Sequence, residues 1–586
     1  MKKILFLALT VILLISIVAC NDNTTTETAG ESATAAEVAS ETVISDNDTL
    51  ANVTEEVPEQ PTETPETQET EAPSEVSSET PTEEPTEAPT EPVTEPVTEA
   101  PEPQEMAHVS FDEAVQKGLD LSDYLTRPSQ TKSDTVKDGD VSVLSLKAEK
   151  KADSQQSDPY VGLNYEKLAK AMGGKAVDTT EYPYLVLRVK GVDLWSRTFG
   201  LYAYTSNRVQ GEGVFGEQKV RLKDTDEWQY IRFDLTASTK PLIAFRLDYI
   251  NATITEDTVL ISDLYFCKTE EEAIAMTGPD TYPIKEQTAD NYILNVMSFN
   301  VQTENGTQVR MDIRADMLRD LIDEYMPDSI GMQEVTANWR AIMDSYVFND
   351  SYTGVGVART SNPALGLEQS CIFYRSDKYD LLDSGTFWLS DTPNVAGSAL
   401  EGCNYPRICT YVYLKDKVTG FEYIHMNTHL DHDGNNDAKA GRAIRLAQAE
   451  VIMKKLYSLN PDAAVVITGD FNQRAVSPSS GNAYALYKLM TGERALTLDD
   501  GTEYTFALAD SRMHAPDNMP EDFTATMTTY HDKSSSKYNP ARGPIDYSFY
   551  SKNKLEALSY AIRLFDRDGV FLSDHLPVIT SFKVIV

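Results

Sequence analysis

Apolar runs that end in short polar clusters recur between residues 290 and 586, and nothing else in the chain constrains its fold as tightly. Ser298-Phe299-Asn300, Gln333-Glu334, Asn427-Thr428-His429-Leu430-Asp431, Gly469-Asp470-Phe471-Asn472 and Ser573-Asp574-His575 each close or follow a β-like hydrophobic run. In an extended strand, side chains two apart share a face. Asp470 with Asn472, and Asn427 with His429, therefore point the same way as their strands run out, while Phe471 turns into packing. Strand ends opening into one cleft would bring these residues together. Carboxylates, amides and imidazoles gathered in this way suit a hard-cation site doing acid–base chemistry on a phosphate ester. One cluster alone has a plainer reading, because Asn and Asp end strands by favouring turns.

The segments between the clusters alternate strand with helix. Ile293–Met297 reads as a strand, and Asp312–Tyr325 then places Ile313, Met317, Leu318, Leu321, Ile322 and Tyr325 on one helical face. Pro327 ends that helix and Ser329–Met332 returns as a strand. Ala438–Leu459 is a second amphipathic helix with Ala443, Ala447, Val451 and Lys455 in one row, stopped by Asn460-Pro461 before the strand Ala464–Thr468. This alternation suits a large α/β domain over 290–586.

A chain of 586 residues is too long for one domain. Lys2 and Lys3 precede the apolar run Ile4–Val18, and Ile17-Val18-Ala19-Cys20 follows, so residues 1–20 read as an export signal. The end of that run resembles a bacterial lipobox, which implies cleavage before Cys20 and lipid attachment to its sulfur. The formal net charge is −41, but residues 21–105 hold 24 of the acidic side chains and no Lys or Arg. That segment is a Thr/Glu/Pro near-repeat with little to bury, so it is expected to be a disordered stalk. The rest of the chain is only moderately acidic, which decides nothing about a substrate. No strongly basic stretch marks a nucleic-acid groove.

Between 135 and 270, short alternating runs such as Trp228–Leu235 and Leu242–Ile250 predict an all-β sandwich. It resembles the jelly-roll sandwiches appended to secreted bacterial hydrolases, some of which bind carbohydrate. Trp195, Tyr202 and Tyr204 are its candidate sugar-stacking platform, with core packing as the other reading. Cys267 and Cys371 lie in apolar runs and read as buried thiols. Cys403 and Cys409 are close enough in sequence to pair, although spacing alone does not show that they do, and no C-x-x-C metal pattern is present.

Taken in order, the asparagine, Gln-Glu, Thr-His, Gly-Asp-x-Asn, Ile-Asp-Tyr and Ser-Asp-His-x-Pro elements resemble the endonuclease/exonuclease/phosphatase superfamily over 290–586. The resemblance implies a four-layer α/β/β/α sandwich. It assigns Asn300, Glu334 and Asp574 to Mg2+ or Mn2+, and His575 to a place beside the scissile phosphate. Asp546, in Pro544-Ile545-Asp546-Tyr547, becomes the partner of His575. Asp470 becomes the residue that orients or deprotonates the attacking water, and Asn472 and His429 donate to the phosphate oxygens. Arg407, in Tyr405-Pro406-Arg407, is a candidate phosphate clamp, because a guanidinium matches a phosphate bidentately. His432 is a further candidate for the cleft, and His425 is expected to pack in its strand.

The implied activity is a lipid-anchored, extracellular phosphoesterase acting by water on a phosphodiester, with phospholipid headgroups, nucleic acid and sugar phosphates as substrate classes. A cell-wall or carbohydrate ligand would suit the sandwich, and no obligate protein partner is evident. The alternative from another class is a surface adhesin or carbohydrate-binding protein whose hydrolase domain is inactive.

Overall fold

The computed structural model describes residues 107–585 apart from 150–156, 212, 224, 251–252, 254, 286, 289–290, 308, 433–437, 519–523 and 531–542. The export signal, Cys20 and the stalk lie outside the described residues. Among the described residues, no helix is long and apolar enough to cross a membrane.

Two antiparallel sheets make up the N-terminal part, one of six strands and one of five. Period-two alternation sends Leu185, Leu187 and Val189 from one sheet, and Phe199, Leu201, Ala203, Phe245 and Leu247 from the other, into a shared core. The first strand, Ala107–Ser110, pairs with Thr258–Cys267, and Leu125–Ser129 and Thr131–Asp138 follow it. The sandwich therefore begins well upstream of residue 135. Its first strands are short and polar on the outer face, and in sequence they merge with the acidic tract before them.

The C-terminal part contains β1 (Ile293–Asn300), α1 (Met311–Tyr325), β2 (Ser329–Val335), β3 (Tyr352–Val355), β4 (Gln369–Arg375), β5 (Tyr379–Trp388) and β6 (Ile408–Asp416). It continues with β7 (Glu422–His429), α2 (Ala438–Leu459), β8 (Ala464–Asp470), β9 (Leu508–Asp510), β10 (Asp546–Ser551), β11 (Leu555–Ile562) and β12 (Val578–Val584). The order in one sheet is β3-β4-β2-β1-β12-β11, with the short strand Asp517–Asn518 beyond it. The other sheet runs β5-β6-β7-β8-β10-β9.

Three separate cores layer these elements. Ile313, Met317, Leu318, Leu321 and Ile322 of α1 pack on Met297, Phe299, Ile330 and Met332. Leu294, Val296, Val412, Leu414, Val466, Val578 and Phe582 fill the space between the sheets. Ala449, Ile452, Met453 and Leu456 of α2 pack on Ile424, Met426, Val465 and Ile467. The architecture is helix, sheet, sheet, helix, as the family resemblance implied.

The α1 face agrees with its periodicity, and the helix stops where Met326 turns left-handed (φ 41°) ahead of Pro327. The buried row of α2 differs from the row Ala443, Ala447, Val451 and Lys455. Ala443 is exposed, and the row shifted by about two positions, from Arg445 through Gln448 and Ile452 to Leu456, is the one that faces inward.

Candidate active site

Topology alone collects the polar clusters. β1 runs parallel to β2 and β7 runs parallel to β8, so Asn300, Glu334, His429 and Asp470 end their strands at one edge. β10 pairs antiparallel with β8, in register Asp470 to Asp546, and β12 pairs antiparallel with β1, with Val578 opposite Ser298. Asp546, Asp574 and His575 therefore enter from that same edge. At the join, the two sheets approach closely. A Cβ on Gly331 would lie 2.1 Å from Thr468 Oγ1 and 2.5 Å from Asn427 Oδ1. Asn427 is wholly buried there, donating to Met332 O (2.8 Å) and Cys371 O (2.9 Å), so it stitches the sheets together. His425 is buried between Ser329 and Thr468, as its strand position predicted.

His575 Nδ1 donates to Asp546 Oδ2 at 2.9 Å, which fixes the proton on that nitrogen and leaves Nε2 3.8 Å from Asp470 Oδ2. Thr526 Oγ1 accepts from the amides of Ile545 and Asp546, which locks the start of β10. Burial alone would pull the imidazole pKa down, but Asp546, Asp470 and Asp574 hold it well above the ordinary value. Asp470 is raised to about 7, first by burial and then by Asp546, against the pull of His575. Asn472 N donates back to Asp470 Oδ1 at 2.8 Å and fixes that carboxylate.

Asn300 Nδ2 lies 3.1 Å from Glu334 Oε1 and 3.2 Å from Asp470 Oδ2. Thr303 N donates to Glu334 Oε2 at 3.0 Å. Asp574 is held by its backbone, its carbonyl accepting from Thr528 N and Thr529 N, and its half-buried carboxyl lies 3.4 Å from Ser573 Oγ. Burial and Glu334 push its pKa up against His575. Two carboxylates crowded at a cleft edge, with oxygen donors around them, fit a hard divalent cation. Asn300 now turns its nitrogen toward that space, because its Oδ1 accepts from Gln302 N (3.0 Å), so its amide must rotate to join an oxygen shell. Asp470, Asp546 and His575 also offer atoms within 4.8 Å of one another. With His575 charged and its Nδ1 bonded to Asp546, that group suits proton handling and not a cation.

His429 and Asn472 sit together but are engaged with each other. Asn472 Nδ2 donates to His429 Nε2 (3.0 Å) and to Leu430 O (3.1 Å). Burial, then Arg407 and Arg359, hold His429 well below its ordinary pKa, so it is neutral. Arg407 is 4% exposed. Among the described residues its Nε has no hydrogen-bond partner, and it stands 3.7 Å from Asp431 Oδ1. With Arg359, Glu368 and His429 it lines a small pocket of about 10 Å³, room for roughly one water, beside His429. His432 is half-exposed and stacks on Tyr405, ring centroids 5.7 Å apart.

Sequence reasoning missed Thr526, Arg359 and Tyr530. Tyr530 OH donates to Gln302 Oε1, from a Ser/Asn/Pro-rich stretch whose sequence carries no pattern. Glu334, Asn472, Gln302, Thr529 and Tyr530 all have positive φ, between 49° and 63°. Strain concentrated at one site in this way is a mark of function.

The expected stacking platform on the N-terminal sandwich is not an exposed face. Trp195 is 7% exposed and packs into the α1 core, and Tyr204 is buried. Tyr202 covers the Arg246 guanidinium at 4.9 Å. No disulfide joins Cys403 to Cys409, and none is formed among the described cysteines.

Residues 297–575 match the sequence model of the Endonuclease/Exonuclease/phosphatase family. Among solved structures, an endonuclease/exonuclease/phosphatase from Bacteroides vulgatus is 26% identical, covering 50% of this chain and 100% of its own, with TM-score 0.40. A family protein from Bacteroides thetaiotaomicron is 25% identical over 50% of this chain and 99% of its own, with TM-score 0.40. A mannosyl-6-phosphatase from Bacteroides thetaiotaomicron VPI-5482 is 24% identical over 50% of this chain and 100% of its own, with TM-score 0.39. No curated protein matches the chain.

Proposed function

Since the domain spanning residues 297–575 belongs to the Endonuclease/Exonuclease/phosphatase family, we propose that this chain is a divalent-cation-dependent phosphoric ester hydrolase that attacks phosphorus with water. The observation that supports this most is the charged Asp546–His575 pair, set 3.8 Å from a second buried carboxylate at the edge where Glu334 and Asp574 emerge. Asn300, Glu334 and Asp574 would hold Mg2+ or Mn2+, which when bound supplies positive charge to the phosphoryl oxygens.

The remaining work belongs to the protein's own groups. Asp470, with its proton affinity raised toward neutrality, orients the attacking water and accepts its proton. His575, kept protonated by Asp546, presents Nε2–H to oxygen charge developing on the phosphate. Asn472 fixes Asp470 through its backbone and His429 through its amide, so its contribution is geometric as much as direct. Arg407 contributes positive charge beside His429.

The same reading places the enzyme outside the cell, tethered through Cys20 and held off the membrane by residues 21–105. The support for that lies in the sequence of the leader and the stalk. Phospholipid headgroups and sugar phosphates of the cell envelope suit such a location better than nucleic acid.

Hydrolysis of bis-(p-nitrophenyl) phosphate and p-nitrophenyl phosphate with Mg2+ or Mn2+ tests the reaction class. Turnover should be abolished by EDTA, restored by added cation and lost in His575→Ala. Turnover indifferent to EDTA, or surviving His575→Ala, would rule out this reading.

A further inference from the structure

We infer that Tyr530 is a positioning residue that sets the spacing of Glu334 and Asp574, and with it the affinity of the site for a divalent cation. The inference rests on the reading of those carboxylates as cation ligands. They reach the cleft on separate pieces of chain. Glu334 is held by the loop after β1, through Thr303 N at 3.0 Å. Asp574 is held by the segment before β10, through the amides of Thr528 (2.9 Å) and Thr529 (3.2 Å) to its carbonyl.

The Tyr530 hydroxyl joins these two pieces. It donates to Gln302 Oε1 and lies 3.1 Å from Gly306 O, spanning the loop from one end to the other. On the loop side, the tie meets a rigid frame. Gln302 N donates to Asn300 Oδ1 (3.0 Å), and Gln302 O accepts from Trp339 Nε1 (2.9 Å) and from Arg314 Nη2 (2.9 Å). On the other side, Tyr530 follows directly on Thr528 and Thr529, and Met527 bridges to His575. A displacement of Tyr530 is therefore passed to Asp574, and a displacement of Gln302 to Asn300 and Glu334.

Backbone strain points to the same conclusion. Gln302 (φ 56°), Thr529 (φ 52°) and Tyr530 (φ 63°) are non-glycine residues in the left-handed region on the two pieces the hydroxyl connects, and Glu334 (φ 62°), which the first of those pieces holds, is another. Each such residue persists only where its surroundings over-determine it. A hydroxyl at the junction of two strained segments is well placed to hold both.

Phenylalanine at 530 keeps the ring and its edge contact with Phe571 (centroids 6.5 Å apart) and removes only the tie. In the full chain, Tyr530→Phe should weaken Mn2+ binding by about tenfold, as loss of support behind metal ligands typically does. Electron paramagnetic resonance of free Mn2+ reads this without turnover. The melting temperature of the metal-free protein and kcat at saturating Mn2+ should stay near wild type. Gln302→Leu should produce the same loss, and the double variant should lose little more than either single one, because both remove one contact.

Unchanged Mn2+ affinity in both variants would overturn the inference. So would a loss of kcat at saturating cation with affinity intact, since that would put Tyr530 on the substrate. Absence of Mn2+ binding by the wild type would instead overturn the assignment of Glu334 and Asp574 as ligands, so the two failures are separable.

Discussion

Asp546 stands 29 residues before His575 in sequence and 2.9 Å from it in space, and the pair concentrates the consequences of one carboxylate. Among the described residues its Oδ1 is buried without a hydrogen-bond partner, and its charge acts on the imidazole and on Asp470. Asp546→Asn keeps the size and one acceptor but removes the charge, and His575 loses its strongest reason to stay protonated. Turnover should fall by about 10²-fold or more, with KM for a small ester changing little. Steady-state kinetics on p-nitrophenyl esters check this, and an unaltered kcat would show that His575 needs no charged partner.

A second histidine acts in the opposite direction. Burial pushes His425 down to about 3, so the folded protein keeps it neutral while the unfolded chain protonates it near 6.5. Below pH 6.5 the unfolded state binds the extra proton. Stability attributable to this residue is complete above that pH and declines as the pH falls toward 3, about tenfold in the folding equilibrium per pH unit. Urea unfolding of His425→Gln should show a shallower loss of stability between pH 6.5 and 4.5 than wild type. Identical pH slopes would assign the acid sensitivity to other groups.

The contact between the sheets is set by small residues within β2 and β8. Gly331→Ala would drive a methyl group into Thr468 Oγ1 and Asn427 Oδ1, at 2.1 and 2.5 Å, in the network that also holds Gln333 Nε2 (2.7 Å from Asn427 Oδ1). Overpacking at such a site costs about 1–3 kcal/mol. Thermal unfolding should show that loss together with reduced turnover, because β2 carries Glu334 and β8 carries Asp470. A variant as stable and active as wild type would mean that the sheets can part without disturbing the site.

The same elements show what can be read from the sequence. The inward face of α1 follows from its periodicity because its apolar row packs on one sheet. The row on α2 does not. Its inward positions include Arg445 and Gln448, which serve Gln473, the Asp431 carbonyl and the Asp431 amide, so polarity misleads there. Strand-end residues are visible because each cluster terminates its own strand. The mutual engagement of Asn472 with His429 is not, since it depends on a left-handed turn at Asn472 (φ 49°). Tyr530 was beyond reach because its partner lies 228 residues away, on the other sheet's loop.

At the scale of the whole molecule, the N-terminal sandwich is built into the catalytic domain. Asp316 of α1 is fully buried and accepts from Thr198 Oγ1 (2.6 Å), Tyr346 OH (2.9 Å) and Arg567 Nη1 (2.7 Å), and it pairs with Arg221. Asp320 pairs with Arg197, Arg221 and Arg567. Burial would raise the Asp316 pKa, but Arg221 and Arg567 hold it far below the usual carboxylate range. Beside this cluster Trp195 enters the core formed with Met317, Leu321 and Leu572, under the Arg567 guanidinium.

Two of the arginines, the threonine and the tryptophan come from the sandwich, so the outer face of α1 is completed only when the sandwich is attached. Residues 285–586 alone would leave Asp316 and Asp320 with Arg567 as their remaining guanidinium and expose an apolar socket. Leaving a buried charge short of its partner costs about 3–5 kcal/mol. Because the Asp316 pKa is depressed in the fold, the stability its ion pairs contribute is present above the ordinary carboxylate range and lost as the pH falls below it. The isolated 285–586 fragment should therefore melt well below the 107–586 chain at pH 7 and bind more of a hydrophobic dye. Arg221→Ala in the longer chain should reproduce part of that loss. The gap between wild type and Arg221→Ala should narrow as the pH is taken below about 4, where the unfolded carboxylate protonates. Equal melting temperatures for fragment and chain at pH 7 would show that the sandwich is an independent appendage, and the ion cluster only a contact between two self-sufficient domains.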